Sequence, residues 1–357
     1  MDLRYDRQTR LSQFGPGGQA ALAASKVLVV GLGGLGIPVV QYLNAMGVGV
    51  LGLVDHDKVE LHNLQRQVLY SEKDLGKSKI SVAEEKLNQQ NSNTQLNLYD
   101  TFLTRDNALE IISNYDIVVD ATDNFPTRYL INDACVILNK PFVYGALHAF
   151  EGHVSLFNYQ NGPTYRCLYP TMPNAEEVPD CNENGVLGVV PGIIGTLQAL
   201  EVVKAMTGIG EPLSGKLLLF DGLSQNSTKI KFKLNPNNLN IKELQGSYES
   251  MECLLVPEIS AQAYQAKRNS DQAICLIDVR TTKEFANHHL AEARNYPLKD
   301  LKTEINLDEQ NKVVYVICQS GKRSAKAVAQ LQKKYPQISF YSVVGGMNKM
   351  TSLITQS

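Results

Sequence analysis

The chain has 357 residues and a formal net charge of -2, from 34 basic and 36 acidic side chains. A nearly neutral chain without a long basic run is not typical of a protein whose main partner is nucleic acid. The charged N-terminus and the lack of an apolar stretch of roughly 20 residues predict a cytoplasmic protein without a leader peptide or membrane span. The length exceeds the roughly 100–200 residues of one domain, so two domains are expected.

The first two-thirds of the chain alternate strand-like and helix-like segments. Several strands are continuous apolar runs, which is typical of strands buried on both faces. This rhythm predicts a doubly wound, Rossmann-like α/β sheet, with a mixed part where later strands follow one another with less helix between them. A further helix is expected from Pro191, where apolar residues keep helical spacing. The predicted strands are KVLVVG, GVLGLVD, DIVVDAT, PFVYGAL, HVSLFNY and KLLLFDG.

A polar, asparagine-rich stretch separates this part from a second α/β rhythm. It carries Pro236 and Gly246, which predicts an interdomain linker over residues 236–255 after a first domain of residues 1–235. The segments AICLIDVR, KVVYVICQSG and ISFYSVVGG then predict strands of a small α/β domain over residues 256–357. A remainder of about 100 residues is enough for one such domain.

The stretch VLVVGLGGLGIPVV carries Gly31, Gly33, Gly34 and Gly36 between a strand and a helix. A glycine-rich turn at a helix N-terminus is typical of a phosphate-binding site. Asp55 ends the next strand, 19 positions beyond Gly36, where a carboxylate can accept the ribose hydroxyls of a nucleotide. From these residues alone, the pyrophosphate of NAD and the triphosphate of ATP both remain open.

Polar residues after Asp55 favour the triphosphate. Asn63, Arg66 and Gln67 follow this acid, and Lys79 comes soon after them. Arg and Lys suit an enzyme that must hold a triphosphate and neutralise a leaving pyrophosphate. Hydride transfer with NAD has little use for extra cations at this place.

A second group of polar residues follows the strand DIVVDAT, namely Asp120, Asp123, Asn124 and Arg128. In open α/β sheets, ligands bind at the carboxyl ends of the strands. A carboxylate there can hold Mg²⁺ against the phosphates. Each residue alone could be a solvated charge or a turn former, but their joint order is poorly explained by chance.

The motifs RYDRQ, VLVVGLGGLG, VDHDKVELHNLQRQVLY, GKSK, DATDN and GVLGVVPGIIGTLQALEVVK resemble those of the MoeB/ThiF/HesA family, relatives of the ubiquitin-activating enzymes. The resemblance covers residues 1–235. It implies that ATP and Mg²⁺ serve to adenylate the C-terminal glycine of a ubiquitin-like sulfur carrier ending in Gly-Gly. It also implies a homodimer, because Arg7 resembles an arginine that the family donates to the partner subunit's site.

The same resemblance implies roles for the candidate site residues. The glycines approach the phosphates and Asp55 holds the ribose, while Asp123 binds the magnesium ion. The catalytic residues implied in this domain are Arg66, Lys79 and Asp123. The residues implied to bind ATP or magnesium are Arg7, Gly31, Gly33, Gly34, Gly36, Asp55, Asn63, Arg66, Gln67, Lys79, Asp123 and Asn124.

Two cysteines of the first domain stand at positions that the family uses. Cys181 lies in the polar segment EEVPDCNENGVLG, which by resemblance is a crossover loop near the adenylate. Some family members use this cysteine for a covalent link or a persulfide and others do not, so both roles remain open. Family members often bind a structural zinc with two CxxC pairs. Here Thr164 replaces the first ligand, the second pair is absent and only Cys167 remains, so no zinc is predicted.

Cys318 ends the strand VVYVIC and opens the segment CQSGKRSAKAVAQL. A strand end, a tight glycine turn and a helix N-terminus aim backbone N–H groups at one sulfur and favour its thiolate. With IDVRTTKEF upstream and VVGGM downstream, residues 256–357 resemble a rhodanese domain, although HHLAEARNYPL departs from the usual pattern. The resemblance implies a catalytic persulfide on Cys318. The loop implied to surround it consists of Cys318, Gln319, Ser320, Gly321, Lys322 and Arg323.

The two resemblances together predict an adenylyltransferase fused to a sulfurtransferase. A persulfide on Cys318 would displace AMP from the carrier and give a thiocarboxylate, after loading by a donor such as a cysteine desulfurase. Molybdopterin synthesis is the expected pathway, and thiamin-thiazole synthesis, another sulfur metabolite and tRNA thiolation remain open. A non-catalytic carrier-binding scaffold and an NAD-dependent oxidoreductase are the alternatives, against which the combination of Arg66, Lys79, Asp123 and Cys318 argues.

Overall fold

The computed structural model describes residues 3–173, 185–248, 256–269, 274–301, 305 and 313–354. The chain divides into two compact units, Met1–Ser250 and Met251–Ser357. Each unit is described by itself. The domain and linker boundaries expected from the sequence stay predictions.

Unit 1 is an α/β unit whose elements alternate along most of its length. Its strands are β1 (Lys26–Val30), β2 (Val50–Asp55), β3 (Gln95–Asp100), β4 (Ile117–Asp120), β5 (Phe142–His148), β6 (Glu151–Phe157), β7 (Lys216–Asp221) and β8 (Asn226–Lys231). Its described helices are α1 (Asp6–Thr9), α2 (Gly15–Ala24), α3 (Gly36–Met46), α4 (Lys79–Gln90), α5 (Ala108–Ser113), α6 (Phe125–Ile137), α7 (Tyr165–Leu168) and α8 (Val189–Thr207).

These strands form one sheet in the order β3-β2-β1-β4-β5-β6-β7-β8. The first five in this order are parallel, and β6, β7 and β8 are added antiparallel. The predicted doubly wound mixed sheet is therefore confirmed. The strand order reverses beside β1, and a crevice for a ligand is expected at the carboxyl ends of β1 and β4.

Two apolar clusters cover the two faces of this sheet. Strand β1 contributes to both, because four of its five residues are buried and successive side chains point to opposite faces. Helix α8 packs against α3 and ends at Gly208, which takes the left-handed conformation with φ of 73°. By length and composition α8 is the one described helix that could cross a membrane, but half of its most apolar stretch is buried inside the unit.

Tyr248, within the predicted linker, packs on the rest of unit 1. Tyr248 is buried, and its hydroxyl donates a hydrogen bond of 2.8 Å to the carboxylate of Asp133 on α6. Arg166 on α7 donates two more hydrogen bonds, both of 2.7 Å, to the same carboxylate. A buried ion pair with these extra hydrogen bonds joins residue 248 to the body of the unit.

Unit 2 is a smaller α/β unit. Its described strands are β9 (Glu258–Ser260), β10 (Cys275–Asp278), β11 (Ala293–Asn295), β12 (Val313–Ile317) and β13 (Ser339–Val344). Its described helices are α9 (Ala261–Arg268), α10 (Thr282–Asn287), α11 (Lys322–Lys334) and α12 (Gly346–Ile354). The strands pair in parallel in the order β11-β10-β12-β13-β9. The central strand β12 ends directly before Cys318, so the cysteine lies at the carboxyl edge of the sheet.

Candidate active sites

The glycine turn of unit 1 connects β1 to α3 and lies against the end of β4. Gly31 has φ of 97°, and a side chain there would also approach the carbonyl oxygen of Ala121 to 2.8 Å. A Cβ atom on Gly36 would lie 1.8 Å from the carbonyl oxygen of Gly31. Only glycine fits at these two positions, which lets the turn fold tightly and pack closely against the end of β4.

Asp55 is held directly beside this turn. Its carboxylate accepts a hydrogen bond of 2.6 Å from the Leu32 N–H and one of 2.7 Å from the Asp57 N–H. The hydroxyl of the buried Tyr70 donates to the Leu32 carbonyl oxygen at 3.1 Å, which fixes the turn from the other side. Burial, with smaller contributions from the two aspartates, raises the pKa of Tyr70, so this hydroxyl keeps its proton.

Arg66 and Gln67 border the two glycines in the middle of the turn. A Cβ atom on Gly34 would lie 3.4 Å from Cγ of Arg66, and one on Gly33 would lie 3.7 Å from Nε2 of Gln67. The Arg66 guanidinium donates only to the nearby His62 carbonyl oxygen, at 3.0 Å, among the contacts found in the described residues. The side-chain oxygen of the buried Gln67 has no hydrogen-bond partner there. Both side chains therefore offer polar atoms beside the turn.

Asn63 lies one turn earlier and is buried. Its side-chain oxygen accepts a hydrogen bond of 3.3 Å from the Glu60 N–H, and its amide nitrogen lies 3.2 Å from Nε2 of His62. These contacts fix the segment that carries Arg66.

Lys79 begins α4 and forms an ion pair with Asp57. Nζ lies 2.8 Å from Oδ2 of Asp57, and the Lys79 N–H donates to the Asp57 carbonyl oxygen at 2.9 Å. The lysine side chain is only 5% exposed, whereas the aspartate side chain is 62% exposed. A buried cation thus reaches an open carboxylate close to Asp55.

Asp123 and Asn124 follow β4 and are both exposed. The Asn124 side-chain oxygen accepts a hydrogen bond of 2.9 Å from the Thr127 N–H and caps the N-terminus of α6. No cap or ion pair involves the Asp123 carboxylate among the described residues, and its oxygens are hard ligands of the kind that Mg²⁺ prefers. The donor at this edge therefore fits a magnesium ion.

A buried ion pair supports the segment that carries Asp123. Nε of Arg128 lies 3.5 Å from Oδ2 of the fully buried Asp120, and its Nη2 donates to the Thr122 carbonyl oxygen at 2.9 Å. The guanidinium also lies 5.2 Å from the centre of the Tyr144 ring. Burial raises the pKa of Asp120, and the charge of Arg128 opposes that shift.

The two remaining predicted residues of this domain are placed differently. Arg7 is exposed on α1, and no hydrogen bond or ion pair of its side chain occurs within the described parts of the chain. Cys181 lies outside the described residues, so its role stays a prediction.

Cys167 accepts hydrogen bonds from several directions. Its sulfur lies 3.3 Å from the Asn235 nitrogen, 3.4 Å from the Asn238 amide nitrogen and 3.4 Å from the Thr164 nitrogen. Burial alone would raise the pKa of the Cys167 thiol, but these hydrogen bonds outweigh it and lower the pKa. No group of three or more His, Cys, Asp or Glu side chains suited to a metal is found among the described residues.

The second site is built around Cys318 in unit 2. The thiol is fully buried, and Gly321, with φ of 96°, donates its N–H to the sulfur at 3.1 Å. The Ser324 hydroxyl lies 3.6 Å from the sulfur and donates to the Gly321 carbonyl oxygen at 2.9 Å. Gly321 of the predicted loop and Ser324 beyond it therefore both contact the sulfur, and Ser324 is a contact that the sequence analysis missed.

Side chains of this loop are held by the elements around it. Gln319 accepts a hydrogen bond of 3.0 Å from Arg280 and donates one of 2.6 Å to Asn348. Arg323 donates to both carboxylate oxygens of Glu284, at 2.9 and 2.7 Å. Ser320 is exposed, and Lys322 begins α11. Hydrogen bonds therefore hold the side chains of Gln319 and Arg323 in place, while Ser320 is open to solvent.

The ion-pair partners Asp57 and Glu284 were missed by the sequence analysis. For Glu284 the sequence does carry a signal of its position, although not of its ion pair. Thr281 and Glu284 form a capping box, which marks the start of α10. Asp57 stands two positions after Asp55, and no spacing rule distinguishes it from a solvated aspartate.

Comparison with known proteins assigns the class. The ThiF family matches residues 5–241, and the rhodanese-like domain matches residues 260–353. The chain therefore belongs to the ThiF family and carries a rhodanese-like domain after the ThiF region, which confirms both predicted resemblances.

Among its relatives are proteins named adenylyltransferase and sulfurtransferase MOCS3. The protein from Drosophila yakuba is 39% identical, with 99% of this chain and 84% of the relative covered. The one from Caenorhabditis briggsae is 39% identical, with 96% and 92% covered. This chain is thus an enzyme that uses ATP and belongs to the adenylyltransferase and sulfurtransferase class, as predicted.

Solved structures agree with the fold of unit 1. The crystal structure of E. coli MccB with ATP has a TM-score of 0.59 at 25% identity, and the match covers 66% of this chain and 72% of that one. A second MccB structure, with MccA-N7isoASN, has the same TM-score at 24% identity.

Proposed function

We propose that this enzyme adenylates the C-terminal glycine of a ubiquitin-like sulfur carrier ending in Gly-Gly, and then converts it to a thiocarboxylate with sulfur held on Cys318. The observation that supports this most is the presence in one chain of two sites of different chemistry. One edge of the unit 1 sheet gathers Asp55, Arg66 and Lys79 beside the glycine turn. One loop of unit 2 encloses a thiol.

In the first step the carrier's carboxylate attacks the α-phosphate of ATP, and pyrophosphate leaves with the electron pair of the broken P–O bond. No protein base is needed, because the carboxylate is already ionised. We assign the ribose to Asp55 and the phosphates to the glycine turn, with Asn63 and Gln67 as neighbouring polar contacts. Arg66 and Lys79 neutralise the charge that develops on the leaving group, and fixed cations of this kind act mainly on the transition state.

Lys79 must exchange one anion for another in this account. Its ammonium is paired with Asp57, whose side chain is largely exposed to water. A solvated carboxylate gives up an ion pair at little cost, so phosphate can replace it. Asp123 is the residue we assign to hold Mg²⁺, with Asn124 beside it, and the ion would supply positive charge that neutralises the phosphates.

In the second step the terminal sulfur of a persulfide on Cys318 attacks the acyl carbon, and AMP leaves. This forms an acyl disulfide on Cys318. A second thiol then attacks the Cys318 sulfur and forms a disulfide with it, the original sulfur–sulfur bond breaks, and the carrier leaves as a thiocarboxylate; reduction of the new disulfide by an external thiol restores Cys318. Cys181 is one candidate for the second thiol and an external reductant is the other.

We further propose a homodimer in which Arg7 completes the partner subunit's site. Support comes from large apolar side chains left exposed near α1 and on the packed helices α3 and α8, namely Leu3, Leu11, Tyr42 and Leu200. A mixture of R7A and K79A proteins tests this, since a mixed dimer regains one intact site. Recovery of exchange on mixing supports the proposal, and activity no higher than in either variant alone contradicts it.

We also propose that the first domain binds no structural zinc. This proposal is supported by the sulfur of Cys167, which accepts hydrogen bonds from Asn235 and Asn238, the segment where a second cysteine pair would stand. We also propose a cytoplasmic enzyme of molybdopterin synthesis with a cysteine desulfurase as sulfur donor, and neither nucleic acid nor a membrane as partner. The name of the MOCS3 relatives supports this pathway over thiamin-thiazole synthesis.

The test is ATP–pyrophosphate exchange with each candidate carrier supplied separately. Exchange with one carrier alone supports adenylation and assigns the pathway. If ATP binds but no carrier supports exchange, while the folded protein captures a carrier, the scaffold alternative replaces this proposal. A carrier whose terminal glycine is removed serves as the control.

A further inference from the structure

Two arginines lie at the loop around Cys318, and each forms an ion pair with a carboxylate. Arg280 contacts the loop through Gln319, and Arg323 is its last residue. Arg280 is buried and donates to both oxygens of the buried Asp278, with the closest pair at 2.7 Å. Arg323 donates to both oxygens of Glu284 at 2.9 and 2.7 Å. Paired cations of this kind attract a further anion less than unpaired ones do, because the net charge of each pair is close to zero.

Glu284 is the only one of these two carboxylates that lies within reach of solvent. Its side chain is 33% exposed, whereas Asp278 has no exposed surface. The hydrogen bonds from Arg323, more than any other cause, lower the pKa of Glu284 to about 2, so it is ionised near neutral pH. The pair therefore persists and does not switch with pH.

Arg323 belongs to the loop around Cys318 and lies in the first turn of α11. The following residue, Ser324, contacts the Cys318 sulfur at 3.6 Å. Gln319, on the other side of the loop, is fixed through Arg280. Arg323 is therefore one residue away from a side chain that contacts the sulfur. Its net charge, which depends on the pair with Glu284, affects by Coulomb interaction how a charged donor binds at the loop.

We propose that Glu284 determines the specificity of the sulfur donor: by holding Arg323 in a bidentate pair, it disfavours small dianionic donors and favours donors whose sulfur arrives as a thiol-bound persulfide. The inference rests on the proposed role of Cys318. Glu284 touches neither donor nor sulfur, so it acts through Arg323 and the charge of the loop.

Two sulfur donors of different charge distinguish an effect on donor binding from an effect on the sulfur-transfer reaction itself. With thiosulfate, a dianion, the Cys318 thiolate attacks the outer sulfur, the sulfur–sulfur bond breaks and sulfite leaves with the electron pair. With 2-hydroxyethyl persulfide, the thiolate attacks the terminal sulfur and the organic thiolate leaves. In both cases cyanide then removes the sulfur from Cys318 as thiocyanate and restores the thiolate.

The experiment compares KM and kcat for both donors in the full chain and in E284Q. Glutamine can still cap α10, so the fold is preserved, and circular dichroism checks this. We expect KM for thiosulfate to fall about five- to tenfold, the effect of one screened charge near the protein surface, with kcat nearly unchanged. KM for the persulfide should stay the same. The matched control is E258Q, which removes an exposed carboxylate of β9 and should leave both donors unchanged.

Two further variants, R323Q and the double variant R323Q/E284Q, test the proposal if E284Q loses activity for a reason other than charge. In R323Q the cation is removed and the Glu284 carboxylate is left unpaired, so KM for thiosulfate should rise, and adding E284Q should lower it again toward the value of the natural protein. An unchanged KM for thiosulfate in E284Q, or an equal loss with both donors, overturns the specificity role and leaves a structural one. Turnover that survives in C318A would instead refute the proposed function of Cys318.

Discussion

The ammonium of Lys79 lies 2.8 Å from the carboxylate of Asp57, and the lysine side chain is almost entirely buried while the aspartate is open to water. The Asp57 N–H in turn donates to Asp55, at 2.7 Å. One short segment thus connects a buried cation to the acid beside the glycine turn. In the proposed function, this arrangement holds a positive charge where the triphosphate binds.

Substitution K79M should reduce ATP–pyrophosphate exchange by about a hundredfold or more, the usual loss when one fixed stabilising group is removed. R66M should do the same. Thermal unfolding should change little in either variant, because Asp57 is already solvated and Arg66 makes a single hydrogen bond to its own turn. A loss of exchange matched by a large fall in the unfolding midpoint would instead assign these residues a structural role.

Substitution G36A should destabilise unit 1 by about 2 kcal/mol or more, because a Cβ atom would lie 1.8 Å from the Gly31 carbonyl oxygen. The control is G17A in α2, where nothing lies within 4 Å of the added atom. There the helix should gain roughly 0.5 kcal/mol. Urea unfolding measures both, and equal midpoints for the two variants would refute the close approach of the turn.

Substitution R166M should destabilise unit 1 by about 3 kcal/mol, because it leaves the buried Asp133 carboxylate without its cation. The matched control is K216M, which breaks an ion pair whose glutamate, Glu211, is 80% exposed. That variant should unfold at the midpoint of the natural protein. The Asp133 carboxylate also accepts a hydrogen bond of 2.8 Å from the Asn132 side-chain amide. An R166M protein as stable as K216M would show that Tyr248 and Asn132 alone satisfy Asp133.

The Glu284–Arg323 pair predicts how stability depends on pH. The pKa of Glu284 is lowered from 4.5 to about 2 on folding, so its contribution is fully present above 4.5 and is lost as the pH falls through about 2. The difference in unfolding midpoint between the natural protein and E284Q should therefore be constant near neutral pH and shrink below pH 4.5. A difference that stays constant down to pH 2 would contradict the pairing.

The hydrogen bonds to Cys167 predict how the alkylation of its thiol depends on pH. Because they lower the pKa of the thiol, iodoacetamide should modify Cys167 at a lower pH than it modifies an ordinary cysteine. Cys135 is the control, since burial raises the pKa of its thiol and it should react only after unfolding. Peptide mass spectrometry distinguishes the two sites, and a chelator should change neither rate. Protection that disappears with a chelator would indicate a bound metal instead.

Much of the fold could be predicted because its inner strands are apolar throughout. Segments such as KVLVV and IVVD can only be buried on both faces, and both are central strands. Strand β8, NSTKIK, was missed because all six of its residues are exposed at the sheet edge, where no apolar pattern is required. Helix α8 begins at Val189, two residues before the predicted start at Pro191, because proline is tolerated in the first turn of a helix.

The candidate sites were predictable only in part. Glycines, strand-end acids and the cysteine loop have spacing that the chemistry requires, so the sequence could indicate them. Pairings such as Lys79 with Asp57 and Arg323 with Glu284 join residues 22 and 39 positions apart. No local pattern encodes such a contact, since it depends on how the elements pack.

The most direct test of the central claim is the mass of the carrier after incubation with ATP, magnesium, a persulfide donor and this enzyme. We expect a thiocarboxylate with the natural protein, an acyl-adenylate but no thiocarboxylate with C318A, and neither product with K79M. A thiocarboxylate formed by C318A would show that sulfur reaches the carrier without the rhodanese-like unit, and an acyl-adenylate formed at the full rate by K79M would contradict the assigned adenylation site.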